Sequence, residues 1–185
     1  GADIVIHSTT KYMDGHAVQG GGVIVDGGKF DWAASGKFPD FTEPDESYHG
    51  VTYTERFGLE GAYITKATAQ LMRDFGAIPA PMNAYLLNVG LETLPLRMAR
   101  HCENALAVAR FLKGHPKVSW VRYPGLEDDP YYERAQKYLP NGTCGVVSFG
   151  VKGGRAAAEK FMAGLKLASI ATHVADAKTC VLHPA

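Results

Sequence analysis

The feature that most restricts the fold is an unbroken helical pattern near the middle of the chain. It starts at Thr93, Pro95 sits in its first turn, and Met98, Cys102, Ala105, Ala109 and Leu112 recur at spacings of three and four before Gly114-His115-Pro116 stops it. A helix of that length needs an apolar surface to cover, and strand-like runs flank it on both sides. Residues 3–7 and 23–25 precede it; residues 118–123 and 145–151 follow. Ile64, Ala67, Leu71 and Phe75 predict an earlier helix closed by Gly76, residues 84–91 predict another, and Ala158, Phe161, Met162 and Leu165 stripe a last one. This order predicts an α/β architecture with a domain boundary near the long helix and a small α+β domain after it. Met72 and Met98 are expected in the core.

One stretch resists this reading. Residues 29–57 show little periodicity, two prolines and the aromatics Phe30, Trp32, Phe38, Phe41, Tyr48, Tyr53 and Phe57. A connection so long is expected to be a functional or subunit-contact loop.

Charge removes whole classes of partner. Lys plus Arg and Asp plus Glu number 19 each, so no basic field exists to gather nucleic acid or an anionic membrane, and a small-molecule ligand is expected. No apolar run is long enough to span a membrane. Three widely spaced cysteines, Cys102, Cys144 and Cys180, suit reduced thiols in a cytoplasmic protein. The seven histidines show no paired-ligand spacing, so no metal site is expected. The first residues run straight into an apolar strand without an initiator methionine, and the last stop just as another strand finishes; a sequence cut at both ends is expected.

Chemistry concentrates in Ser8-Thr9-Thr10-Lys11, where a strand delivers two alternate hydroxyls and an amine into one turn. Ser8 and Thr10 can donate hydrogen bonds to a phosphate, and Lys11 can form an imine with an aldehyde. A solvated lysine in a hydroxyl-rich turn is the ordinary alternative. The same residues match the Ser-x-x-Lys pattern of β-lactamases, but that pattern needs Ser-Asp-Asn and Lys-Thr-Gly companions, and the nearest here is Lys178-Thr179-Cys180. Gly20-Gly21-Gly22 lacks the lysine-hydroxyl ending of a P-loop and reads as a strand entry or a bulge.

Residues 7–12 (HSTTKY) resemble the lysine motif of the Cys/Met-metabolism group of fold-type I pyridoxal-phosphate enzymes. Residues 42–54 (TEPDESYHGVTYT) are similar to a segment of the O-acetylhomoserine sulfhydrylases within that group. Residues 90–98 (GLETLPLRM), 101–105 (HCENA), 123–126 (YPGL) and 183–185 (HPA) continue the likeness in order.

The resemblance implies a fold-type I, aspartate-aminotransferase-like chain. Residues 1–92 would be the end of the large cofactor domain, and residues 93–185 most of the small C-terminal α+β domain. It implies pyridoxal 5'-phosphate as cofactor, with Lys11 as its covalent anchor and proton carrier, and Ser8 and Thr10 as phosphate ligands. His173 stands where relatives carry Asn or Ser near the substrate carboxylate, and Ala175 where glycine is usual. The implied reaction converts O-acetylhomoserine and sulfide to homocysteine and acetate, in a homo-oligomer expected to be tetrameric. The same motifs serve cystathionine γ-synthases, methionine γ-lyases and O-succinylhomoserine sulfhydrylases. An inactive structural or assembly module is the alternative of a different class. The resemblance places the partner of the pyridine nitrogen, the ring-stacking tyrosine and the carboxylate-binding arginine outside this chain, together with the parallel sheet flanking the Lys11 strand.

Overall fold

A computed structural model describes residues 1–183. Of the carboxy-terminal HPA match, Pro184 and Ala185 lie outside the described residues. The chain forms two compact units, one of Gly1–Ser8 with Gly21–Ala84 and the other of Thr9–Gly20 with Tyr85–Ala185. The turn carrying Lys11 groups with the later part of the chain.

In the first unit, strands β1 (Ile4–Ser8) and β2 (Gly22–Asp26) pair antiparallel, with Ile4 opposite Asp26 and Ser8 opposite Gly22. The helix α1 (Pro39–Thr42) and a 3-10 turn at Glu46–Tyr48 follow, the latter capped by the Asp45 carboxylate, which accepts from the Ser47 N–H. Helix α2 (Tyr53–Lys66) is broken near its start at Gly58, whose φ of 64° lies in the left-handed region that glycine enters at least cost. It continues through a π-helical segment, Ala67–Met72, into α3 (Arg73–Phe75), and Gly76 closes it with φ 67°, the left-handed cap anticipated there.

Residues 29–57, expected to be a functional or subunit-contact loop, contribute their rings to this unit's own core. Trp32, Tyr53 and Ala62 are buried together, with Phe30, Phe38, Phe41, Tyr48 and Phe57 packed around them. Trp32 stacks on Phe41 at 4.2 Å and meets Phe30 edge-on at 4.7 Å. Stacked and edge-to-face rings supply apolar burial where no sheet or long helix does. Met72 departs from the core placement expected of it and is exposed within this chain.

The second unit begins with the turn 9–20 and resumes within α4 (Pro81–Glu92). Its spine is α5 (Leu94–Gly114), preceded by Thr93 as the helical spacing predicts. Ala105 and Ala109 are buried on α5, and their small side chains let Tyr123 and Leu126 close against it. Strands β3 (Val118–Arg122) and β4 (Ser148–Val151) pair antiparallel with a register shift near Val118. The short helix α6 (Tyr132–Tyr138) lies between them in sequence. Helix α7 (Gly154–Ala163) leads to β5 (Ser169–Ile170) and β6 (Cys180–Val181), which run parallel. Among the described residues no helix is long and apolar enough to cross a membrane.

Candidate functional site

Lys11 lies in a turn held from several directions. The Asp14 N–H donates to the Thr9 carbonyl at 3.1 Å, and the Gly15 N–H to the Lys11 carbonyl at 2.8 Å. Gln19, buried, donates from Nε2 to the Thr9 carbonyl at 2.8 Å. Asp14 is only 1% exposed; its Oδ2 accepts from the Val18 N–H, while its Oδ1 has no hydrogen-bond partner. Gly15 has φ 76°. The Ala177 N–H donates to the Gly15 carbonyl at 2.8 Å, tying the segment between β5 and β6 to the same turn.

The residue after Lys11 is held by its side chain as well. The Tyr12 hydroxyl accepts from the Gly145 N–H at 2.8 Å, and its ring meets His101 edge-on at 5.5 Å. Burial pushes the Tyr12 phenol above its ordinary value against the opposing pull of that N–H. Burial first, and the Arg97 charge second, hold the His101 imidazole below its usual range. Arg97 itself reaches from α5 onto the Lys11 turn. Its Nη1 donates to the Tyr12 carbonyl at 2.7 Å, and Nη2 to the carbonyls of Gly90 at 2.6 Å and Met13 at 3.3 Å.

The residues singled out in the sequence are placed as follows. Lys11 and Thr10 are half-buried in the turn of the second unit, whereas Ser8 is exposed at the end of β1 in the first. His173 is half-buried, with its Nε2 shielded from solvent and without a hydrogen-bond partner. Two residues later, Ala175 adopts φ 67°, a left-handed conformation that suits the glycine usual in relatives better than alanine. Gly22 opens β2, as the strand-entry reading of the glycine cluster has it. Cys102, Cys144 and Cys180 are free thiols, and burial pushes Cys102 up, which keeps it protonated. Among the described residues no group of three His, Cys, Asp or Glu side chains could hold a metal ion. Sequence reasoning missed Arg97, Tyr12, Asp14 and Gln19 as supports of the turn. Tyr12 lies in segment 7–12 and Arg97 in segment 90–98, which is the signal the sequence carries for them.

As a donor set, the Lys11 amine and the Thr10 hydroxyl of one turn fit a phosphorylated aldehyde: the amine can bond the carbonyl carbon and the hydroxyl can donate to a phosphate oxygen.

Comparison with known proteins bears on this set. The family described as Cys/Met metabolism PLP-dependent enzyme matches residues 1–185. The chain is 50% identical to an O-acetyl-L-homoserine sulfhydrylase of Leptospira meyeri and 52% identical to a homocysteine synthase of Schizosaccharomyces pombe. Both matches cover 100% of this chain and 43% of the relative. The chain thus spans less than half the length of these curated relatives. A crystal structure from Campylobacter jejuni, assigned as an O-acetylhomoserine (thiol)-lyase and containing a pyridoxyl-lysine phosphate, superposes with a TM-score of 0.88 at 32% identity. It covers 100% of this chain and 45% of that one.

Proposed function

We propose, from the premise that the chain belongs to the Cys/Met metabolism family of PLP-dependent enzymes, that it is part of an enzyme converting O-acetylhomoserine and sulfide to homocysteine and acetate. The observation that carries this reading is the 50% and 52% identity, along the whole chain, to proteins named for that chemistry. When bound, pyridoxal phosphate supplies an aldehyde and a pyridine ring that delocalises negative charge from the substrate α-carbon.

The remaining work falls to side chains. Lys11 Nζ bonds the cofactor covalently and, once displaced by the substrate's amino group, takes and returns protons at the substrate carbons. The Ser8 and Thr10 hydroxyls donate to the phosphate and hold it against rotation. His173 Nε2, shielded and without a hydrogen-bond partner in this structure, donates to the substrate carboxylate. The complete protein is a fold-type I enzyme divided near residues 92 and 93, assembled as a homotetramer in the cytoplasm. Support for Lys11 comes from its half-buried position in a turn fixed by hydrogen bonds on both sides.

The test uses the full-length protein with O-acetylhomoserine and either sulfide or cysteine as acceptor. Homocysteine is expected to form faster than cystathionine. The reverse order would replace the reading with a cystathionine γ-synthase, and ammonia with 2-oxobutanoate from methionine would replace it with a methionine γ-lyase. Lys11→Ala is expected to abolish both turnover and the visible absorbance of lysine-bound cofactor; retention of either would remove Lys11 from its role.

A further inference from the structure

We infer that Arg97 is a positioning residue for Lys11, acting through the backbone of the turn that carries it; this rests on Lys11 being the cofactor lysine. The guanidinium is committed to carbonyls. Nη1 donates to Tyr12, the residue directly after Lys11, and Nη2 to Met13 and to Gly90 near the end of α4. Nε donates to the Thr93 hydroxyl at 3.0 Å, and that hydroxyl in turn donates to the Gly90 carbonyl. One side chain therefore locks the Lys11 turn, the end of α4 and the start of α5 into a single arrangement.

Surrounding residues are shaped to keep Arg97 in place. A methyl group on Gly15 would collide with the Arg97 guanidinium, so the glycine makes room for it as well as adopting φ 76°. Gly90 has no side chain where the Met13 and Asp14 backbone approaches α4, which brings its carbonyl within reach of Nη2. A planar fork with donors in fixed directions can serve several carbonyls at once, whereas an ammonium on a flexible stem cannot hold the same directions. Hydrogen bonds from a charged donor are also the stronger kind. The consequence is a fixed path for the backbone at Lys11, and so a defined origin for its Nζ.

The structure thus predicts that loss of the fork loosens how the cofactor is held without dissolving the fold. Full-length Arg97→Lys, which keeps charge and stem, and Arg97→Ala would be compared with the unmodified protein. The readouts are cofactor dissociation constant, visible circular dichroism per bound cofactor, far-ultraviolet circular dichroism, and borohydride trapping located by peptide mass. For Arg97→Lys, cofactor affinity is expected to fall about tenfold or more, as loss of one or two charge-assisted bonds would give. The visible circular dichroism per bound cofactor should fall even at saturation, with far-ultraviolet signal unchanged.

Substrate kcat should drop more than KM rises, since the displaced group acts in chemistry and not in capture. Unmodified affinity and visible signal in Arg97→Lys would overturn the proposal. If Arg97→Ala fails to fold, the lysine variant still decides. If borohydride fixes no cofactor on Lys11 in the unmodified protein, the Lys11 reading itself fails, an outcome separate from failure at Arg97.

Discussion

Replacing Gly90 by alanine tests the close approach on which the Lys11 turn depends. In a helix interior, alanine is favoured over glycine by about 1 kcal/mol, so the change should stabilise α4 if nothing else happened. The added methyl would stand 2.5 Å from the Asp14 carbonyl oxygen, 2.6 Å from that of Met13 and 2.9 Å from the Asp14 Cα. All three are backbone atoms and cannot swing aside. Relief requires α4 and the turn to separate by roughly half an ångström, which forfeits a quarter or more of each dispersion contact across the seam. Overpacking of this kind costs about 1–3 kcal/mol. Stretching the Arg97 bond to the Gly90 carbonyl, now 2.6 Å, adds about 1 kcal/mol. The losses exceed the gain, leaving a net destabilisation of about 1–3 kcal/mol.

Thermal unfolding of the full-length protein should show it as a lower midpoint, and cofactor affinity should fall with it. Gly114→Ala is the control: a methyl there meets nothing within 4 Å, at the last residue of α5, so the midpoint should hold or rise slightly. A Gly90→Ala protein as stable as the control would refute the argument.

Trp32→Ala should cost about 3–5 kcal/mol, the usual toll for truncating a buried aromatic, because Trp32 is 5% exposed and touches four other rings; chemical denaturation followed by fluorescence measures it, and a loss under 1 kcal/mol would show the ring cluster to be loose. His101 carries a pH dependence: its folded-state value lies below 6.5, so its contribution to stability is present above pH 6.5 and is lost as pH falls through the folded value. Unfolding midpoints measured downward from pH 7 should fall less steeply in His101→Asn than in the unmodified protein, and equal slopes would reject the assignment.

The elements with strong periodicity were legible in the sequence. Helix α5 starts and stops where Thr93 and Gly114 say it should, and the left-handed cap at Gly76 follows from the residue type. Helix α6, of seven residues, and the two-residue β5 are too short for a period to register. The aromatic core escaped for a different reason. Its rings come from irregular chain and from three separate helical segments, so no single repeat announces that Trp32, Phe41 and Tyr63 stack. Periodicity also says that a helix has an apolar stripe without saying what covers it: Ile64, Leu71 and Phe75 recur as predicted yet are 36%, 48% and 81% exposed within this chain.

The candidate site divides along the same line. Lys11, Ser8 and Thr10 could be found because their chemistry is contiguous, an amine within three residues of two hydroxyls. Arg97 could not, since its partner Tyr12 is 85 residues away and an arginine on a helix reads first as a solvated one. Hydrogen bonds that fix residues 11–15 run to Arg97, Gly145 and Ala177. These supports are separated from the lysine by long stretches of sequence, so substitutions in α5, or in the segments around Gly145 and Ala177, should reach Lys11 although none of them neighbours it along the chain.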